Sequence, residues 1–167
     1  MKTVRALASC AALLPWLAGT APASAGEPEF LAFGAGGFDV NDDQTSGLFT
    51  VEYRSDRKRF YVAPMVGLMS NSDGGVYGYG GVFLDVYFGR RWVVTPNFAL
   101  GGWRRGDSKD LGDTLEFRSG VEIAYRFDNR SRLGITFNHI SNAGIGDSNP
   151  GTESLLLTYA VPLHALF

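Results

Sequence analysis

From Leu31 onward, apolar and polar residues alternate in short runs. That period of two marks strands with one face turned to an apolar phase. Eight runs follow, at Leu31–Val40, Leu48–Arg54, Phe60–Met69, Val76–Phe88, Trp92–Trp103, Leu115–Phe127, Arg132–His139 and Glu153–Phe167. The second sets Phe49, Val51 and Tyr53 against Leu48, Thr50, Glu52 and Arg54. The sixth sets Phe117, Val121, Ile123, Tyr125 and Phe127 against Glu116, Arg118, Glu122 and Arg126. The connections alternate too: longer at 41–47, 104–114 and 140–152, shorter at 55–59, 89–91 and 128–131, while 71–75 falls on the longer side of the alternation but is too short to add to it.

An even number of strands with long and short connections at opposite ends predicts an all-β fold, an eight-stranded antiparallel transmembrane β-barrel. Short turns and both chain ends would face the periplasm and the longer loops the outside, with opposite charges paired in the lumen. A last run that alternates to a terminal phenylalanine, Phe167, resembles the insertion signal read by the barrel insertion machinery of bacterial outer membranes. A soluble β-sandwich shares the alternation but explains neither the loop asymmetry nor this ending.

The first 25 residues differ. Lys2 and Arg5 precede a mostly apolar run, and Ala23-Ser24-Ala25 fits a small-residue cleavage site, so residues 1–25 read as a secretory signal peptide cleaved before Gly26. The run falls short of the roughly 20 residues of a spanning helix. Leu7-Ala8-Ser9-Cys10 resembles a lipoprotein box, but almost no apolar segment precedes Cys10. Residues 26–167 form the barrel domain and contain no cysteine, since Cys10 is the only one, so neither disulfides nor thiolate chemistry enter. Without Lys2 and Arg5, 13 of the 15 basic residues remain against 17 acidic ones, a net charge of −4. No basic stripe with interleaved aromatics points to nucleic acid. His139 and His164 stand 25 residues apart, which is not metal-ligand spacing, and no cofactor is expected.

Strand parity singles out one cluster. His139 and Ser141 continue the apolar set Leu133, Ile135, Phe137, and Glu153 shares the parity of Leu155, Leu157 and Tyr159. A histidine, a serine and a glutamate are thus predicted at the outer end of one hairpin, on the lipid side. Side chains two residues apart on a strand stand about 6.6 Å apart on one face. Ser141 would be the nucleophile, His139 the base and Glu153 the carboxylate that orients the imidazole. The amides around Asn142 and Gly144, or the Asn142 side chain, are the local donors for an oxyanion. The bland alternatives are a turn serine, a rim carboxylate and an interfacial histidine.

His139-Ile140-Ser141-Asn142, followed by Asn149-Pro150-Gly151 and Glu153, resembles the catalytic region of the lipid A 3-O-deacylase (PagL) family of bacterial outer membranes. Ser72-Asp73-Gly74, Thr95-Pro96 and Leu115-Glu116-Phe117 extend the likeness over most of residues 26–167. The resemblance implies a calcium-independent esterase that removes the 3-O-linked hydroxyacyl chain from lipid A in the outer leaflet. His139, Ser141 and Glu153 would be its triad, Asn142 part of its oxyanion hole, and Asn149 a residue that holds the last loop in shape. Arg104, Arg105 and Lys109 in a neighbouring loop are candidates for the lipid A phosphates, and a homo-oligomer is open. The rival functions are a non-enzymatic structural or adhesion barrel, a phospholipase-type lipid esterase and, least, a soluble lipocalin-like binder.

Overall fold

The computed structural model describes residues 26–166; the signal-peptide reading and Phe167 lie outside them. Nine strands occur in chain order: β1 (Phe30–Phe38), β2 (Ser46–Arg54), β3 (Ala63–Asn71), β4 (Val76–Phe83), β5 (Val86–Phe88), β6 (Trp92–Arg104), β7 (Leu115–Arg126), β8 (Arg132–Ser141) and β9 (Thr152–Pro162). Sequence neighbours pair antiparallel, except β4 and β5; β1 also pairs with β9 and β4 with β6, so the sheet closes on itself.

β4 and β5 are two parts of one stave. Phe83 pairs with Asn97 and Val86 with Val94, so the register continues across Leu84 and Asp85. Leu84 N–H still donates to Pro96 O at 3.1 Å. Pro96 has no N–H to return the bond, and the ladder lapses there. The barrel therefore has the eight staves expected, with the fourth run interrupted where the sequence reading drew it continuous. The last strand also ends earlier than expected, at Pro162, followed by a 3₁₀ turn over Leu163–Ala165. His164 lies exposed in that turn and not on a lumen-facing strand position.

The two faces have the polarity of a membrane barrel. Phe49, Leu68, Ile123, Ile135 and Leu157 are between 54% and 64% exposed on the outer wall. Glu52, Arg54, Arg118, Glu122 and Arg132 are at most 5% exposed in the interior. Water would favour the opposite arrangement. A hydrocarbon surround favours this one, and closure leaves no unpaired sheet edge to face it.

Interior charges are matched except at Glu116, whose buried carboxylate oxygens have no hydrogen-bond partner among the described residues. Arg54 donates to both Glu122 oxygens at 3.0 and 2.8 Å and to Glu52 at 2.7 Å, while Arg118 reaches Glu52 at 2.8 Å. Arg132 holds Asp85 with two bonds of 2.9 Å, fixing the residue where the fourth stave lapses, and its guanidinium lies 4.3 Å from the Phe30 ring centroid. The space left among Glu52, Arg54, Asn97, Arg118 and Asn138 is only about 20 Å³, room for roughly one water. The lumen is a packed polar core and not a channel.

Candidate active site

The β8–β9 hairpin brings the expected residues to the outer wall. Its register sets His139 directly opposite Glu153. The imidazole Nδ1 lies 2.8 Å from Glu153 Oε1, with the two side chains 43% and 25% exposed. Along β8, Leu133, Ile135 and Phe137 are exposed, Gly134, Thr136 and Asn138 are buried, and His139 and Ser141 are half-buried on the outward side. Parity thus carries through to Ser141. On the other flank Ser119 of β7 stands opposite His139 and Phe117 opposite Ser141.

No hydrogen bond joins Ser141 to His139 among the described residues. The orientation of the ring nevertheless leads toward that serine. With Nδ1 on Glu153, the Cε1–Nε2 edge faces Gly151, where an added Cβ would stand 3.2 Å from Cε1 and 3.8 Å from Nε2. One step beyond the Ile140–Thr152 pair, Gly151 is at the level of Ser141. The Cε1–Nε2 edge therefore faces the level of the hairpin at which Ser141 stands.

Gly151 also adopts φ +64°, a conformation disfavoured for any residue with a Cβ. Gly151→Ala is expected to destabilise the barrel by about 1–2 kcal/mol through that backbone alone. It should also displace the imidazole and lower any activity that depends on its placement on the order of 10²-fold. Unfolding in urea and steady-state kinetics read the two effects separately.

Asn142 has a different place from the one its position suggests. It is fully buried, and its Nδ2 donates to Leu111 O at 3.0 Å and Ser148 O at 2.7 Å. Its backbone N–H donates to Asn149 Oδ1 at 3.0 Å, and its Oδ1 accepts from Gly144 N–H at 2.9 Å. The expected oxyanion donors, the Asn142 side chain and the Asn142 and Gly144 amides, are thus committed to holding the loop. Asn149 thus ties the start of the loop to its far side through one hydrogen bond. Ala143 and Gly144, at φ 55° and 77°, form a two-residue turn closed by Ile145 N–H to Asn142 O at 3.2 Å. The Ala143 N–H has no partner among the described residues.

The three basic candidates separate. Lys109 Nζ is held by Asp39 at 2.7 Å and Asp42 at 2.9 Å, so it clamps two loops together and is not free for a phosphate. Burial opposes its charge, but hydrogen bonds and attraction to the two carboxylates outweigh this and hold its pKa above the usual lysine value. The hydrogen bond from Lys109 holds Asp42 below the usual carboxylate value. Arg105 pairs with Asp110 at 2.7 Å on the exposed rim. Arg104 is exposed at the end of β6, two strands or about 10 Å sideways from β8, with no acidic partner among the described residues.

Asp39 is the residue that sequence reasoning missed. Fully buried at φ 56°, it receives Lys109 and the Thr152 hydroxyl, at 2.9 Å, on one oxygen, while the adjacent Val40 N–H donates to Glu153 O at 3.1 Å. The first loop therefore braces the strand that carries Glu153. An aspartate in a polar loop gives no sign of this on its own.

Fold and site define an outer-membrane-type β-barrel with a carboxylate–imidazole pair and a neighbouring serine on its outer surface. The family model described as lipid A 3-O-deacylase (PagL) matches residues 16–162, and the chain belongs to that family. It is 37% identical over 65 residues to the lipid A deacylase PagL of Pseudomonas aeruginosa, an alignment spanning 39% of this chain and 37% of that protein. It is 33% identical over 51 residues to the protein of the same name from Bordetella bronchiseptica, spanning 30% of this chain and 29% of that one. A crystal structure of the outer membrane enzyme PagL superimposes with a TM-score of 0.61 at 17% identity, over 80% of this chain and 99% of that one. That likeness is one of fold.

Proposed function

We propose that the chain is a serine esterase that removes the 3-O-linked 3-hydroxyacyl chain from lipid A, working at the outer-leaflet side of the outer membrane. The observation that carries this reading is the 2.8 Å contact of His139 Nδ1 with Glu153 on the lipid-facing wall, with Ser141 two residues along the same face. A carboxylate and an imidazole there do little for a barrel's stability, because lipid-facing polar groups are costly toward the bilayer core. Membership of the deacylase family supports the substrate.

In this reading Glu153 accepts a hydrogen bond from Nδ1–H and leaves Nε2 as the basic nitrogen. As Ser141 Oγ attacks the ester carbonyl, its proton passes to Nε2 and a tetrahedral oxyanion forms. The Ala143 N–H, unpartnered beside Ser141, is the donor we assign to that oxyanion. Collapse breaks the bond to the glucosamine oxygen, which takes the proton from Nε2. Water then attacks the acyl-serine, giving its proton to His139 and its oxygen to the acid. Ser141 recovers its proton as the 3-hydroxy fatty acid leaves. Because lipid A lies in the same leaflet, its ester meets the wall without entering the packed lumen. Arg104 is the remaining basic candidate for a lipid A phosphate, and the barrel insertion machinery would place the chain in the membrane.

Glu153→Ala is expected to retain the fold and lower deacylation by about 10⁴-fold, less than loss of the serine, because the carboxylate orients and does not attack. Equal losses for the two variants would instead assign Glu153 a direct part in the chemistry. To test the substrate, purified protein in detergent receives lipid A and a diacyl phospholipid together. Loss of one 3-hydroxyacyl mass from lipid A alone supports the proposal. Hydrolysis of the phospholipid alone would make the chain a phospholipase.

A further inference from the structure

The barrel end opposite the His139–Glu153 pair has its own chemistry. Three turns lie there, at 55–62, 89–91 and 127–131. They carry six basic residues and only two acidic ones, Asp56 and Asp128. Arg91 pairs with Asp128 at 2.7 Å, and Arg130 donates to the Gly26 carbonyl. Arg57, Lys58, Arg59 and Arg90 are exposed and have no acidic partner among the described residues. The loops at the other end, 39–45, 72–75, 105–114 and 142–151, are the reverse, with eight aspartates against Arg105 and Lys109. Charge is segregated between the two ends of the barrel.

The tip of the first turn adds a second, independent observation. Arg59 and Val62 form a bridge around Phe60 and Tyr61, whose φ angles are 52° and 72°. Two successive left-handed residues make the kind of hairpin turn that favours Asn-Gly. Two bulky aromatics are strained in it. The two residues are 84% and 72% exposed, so packing within the barrel does not explain them. The Arg59 guanidinium stands 5.7 Å from the Phe60 ring centroid. Strain retained at an exposed tip argues for a use outside the fold. The turn lies below the apolar outer wall of β2 and β3, where Val51, Val66 and Leu68 are exposed.

Aromatic rings rest at the headgroup level of a bilayer, and clustered basic residues beside a membrane are drawn to anionic lipid. We infer that the Arg57–Tyr61 turn docks on anionic phospholipid headgroups of the leaflet opposite the active site. Phe60 and Tyr61 are its wedge and Arg57, Lys58 and Arg59 its charge. This rests on the barrel's placement in a membrane and is independent of the esterase chemistry.

A Phe60→Trp reporter in nanodiscs tests the inference, because both leaflets then hold the same lipid and orientation does not matter. Quenching by brominated phosphatidylglycerol is compared with that by brominated phosphatidylcholine, after subtraction of the signal of the parent protein. The expected association ratio is about tenfold or more in favour of the anionic lipid at low salt. It should approach one in about 1 M salt, where charges are screened beyond roughly 3 Å. It should also approach one when Arg57→Gln, Lys58→Gln and Arg59→Gln are added to the reporter. Heat-shifted electrophoretic mobility verifies that each variant is a folded barrel. Equal quenching by the two lipids, or a preference that survives the triple substitution, overturns the inference. A reporter quenched by neither lipid also overturns it and leaves the turn to a soluble partner. Lipid A deacylation measured on the same samples reports on the esterase alone, so failure of one reading does not masquerade as failure of the other.

Discussion

Ser141→Ala is expected to reduce lipid A deacylation on the order of 10⁶-fold, the scale seen when a serine hydrolase loses its nucleophile. Folding should be untouched. The side chain is half-buried at the end of β8 and makes no hydrogen bond among the described residues, so its removal leaves no buried group unpartnered. His139→Ala should fall almost as far, because serine and base act as a unit. Electrophoretic mobility before and after heating separates a dead barrel from an unfolded one, and product masses measure the lost activity. Retention of more than about a tenth of the parent rate by a folded Ser141→Ala protein would falsify the nucleophile assignment, since such a loss represents only about 1.4 kcal/mol of transition-state stabilisation.

The second large effect lies on the other side of the wall. Glu122→Ala is expected to destabilise the barrel by about 3–5 kcal/mol, because it removes one partner of a buried ion pair and leaves the other in place. Glu122 is 1% exposed and receives Arg54 through two nitrogens at 3.0 and 2.8 Å, with the Thr136 hydroxyl at 3.1 Å. Without it Arg54 retains Glu52, which Arg118 also needs. Glu122→Gln keeps the shape but loses the charge. Reversible unfolding in urea from lipid vesicles gives both values. A loss below about 1 kcal/mol for the alanine variant would mean that water entering the lumen solvates Arg54 as well as the carboxylate does.

Parity was readable from the sequence because a strand has only two faces and a membrane barrel makes them opposite in polarity. It placed Leu133, Ile135, Phe137, His139 and Ser141 on one face, and the structure keeps them there. Register is a different matter. That His139 faces Glu153 across the hairpin depends on how ten loop residues between Ser141 and Thr152 fold, and alternation does not encode that. The lapse at Leu84–Asp85 was hidden for a similar reason. It arises from Pro96 on the neighbouring stave, not from any break in the fourth run itself.

The loop chemistry was the least readable part. Asn142 and Lys109 are polar groups near a presumed site, and read singly each invites a functional role. Asn142 is held by Ser148 within its own loop and by Leu111 of a neighbouring one, and Lys109 by Asp39 and Asp42 of a loop that only barrel closure brings near. Closing the barrel turns two expected ligand-binding groups into braces for the hairpin that carries the site. Arg104 and the Ala143 amide, which have no such partners among the described residues, are the candidates left.

The most direct measurement is hydrolysis of lipid A in water enriched in heavy oxygen, with the parent and the Ser141→Ala protein side by side. A serine esterase cleaves between carbonyl and alkoxy oxygen, so the released 3-hydroxy fatty acid should carry one heavy oxygen in its carboxyl group. The lipid A left behind should carry none, and the variant should release nothing measurable. Heavy oxygen in the sugar, an unsaturated acid formed by elimination, or undiminished release by Ser141→Ala would contradict the account.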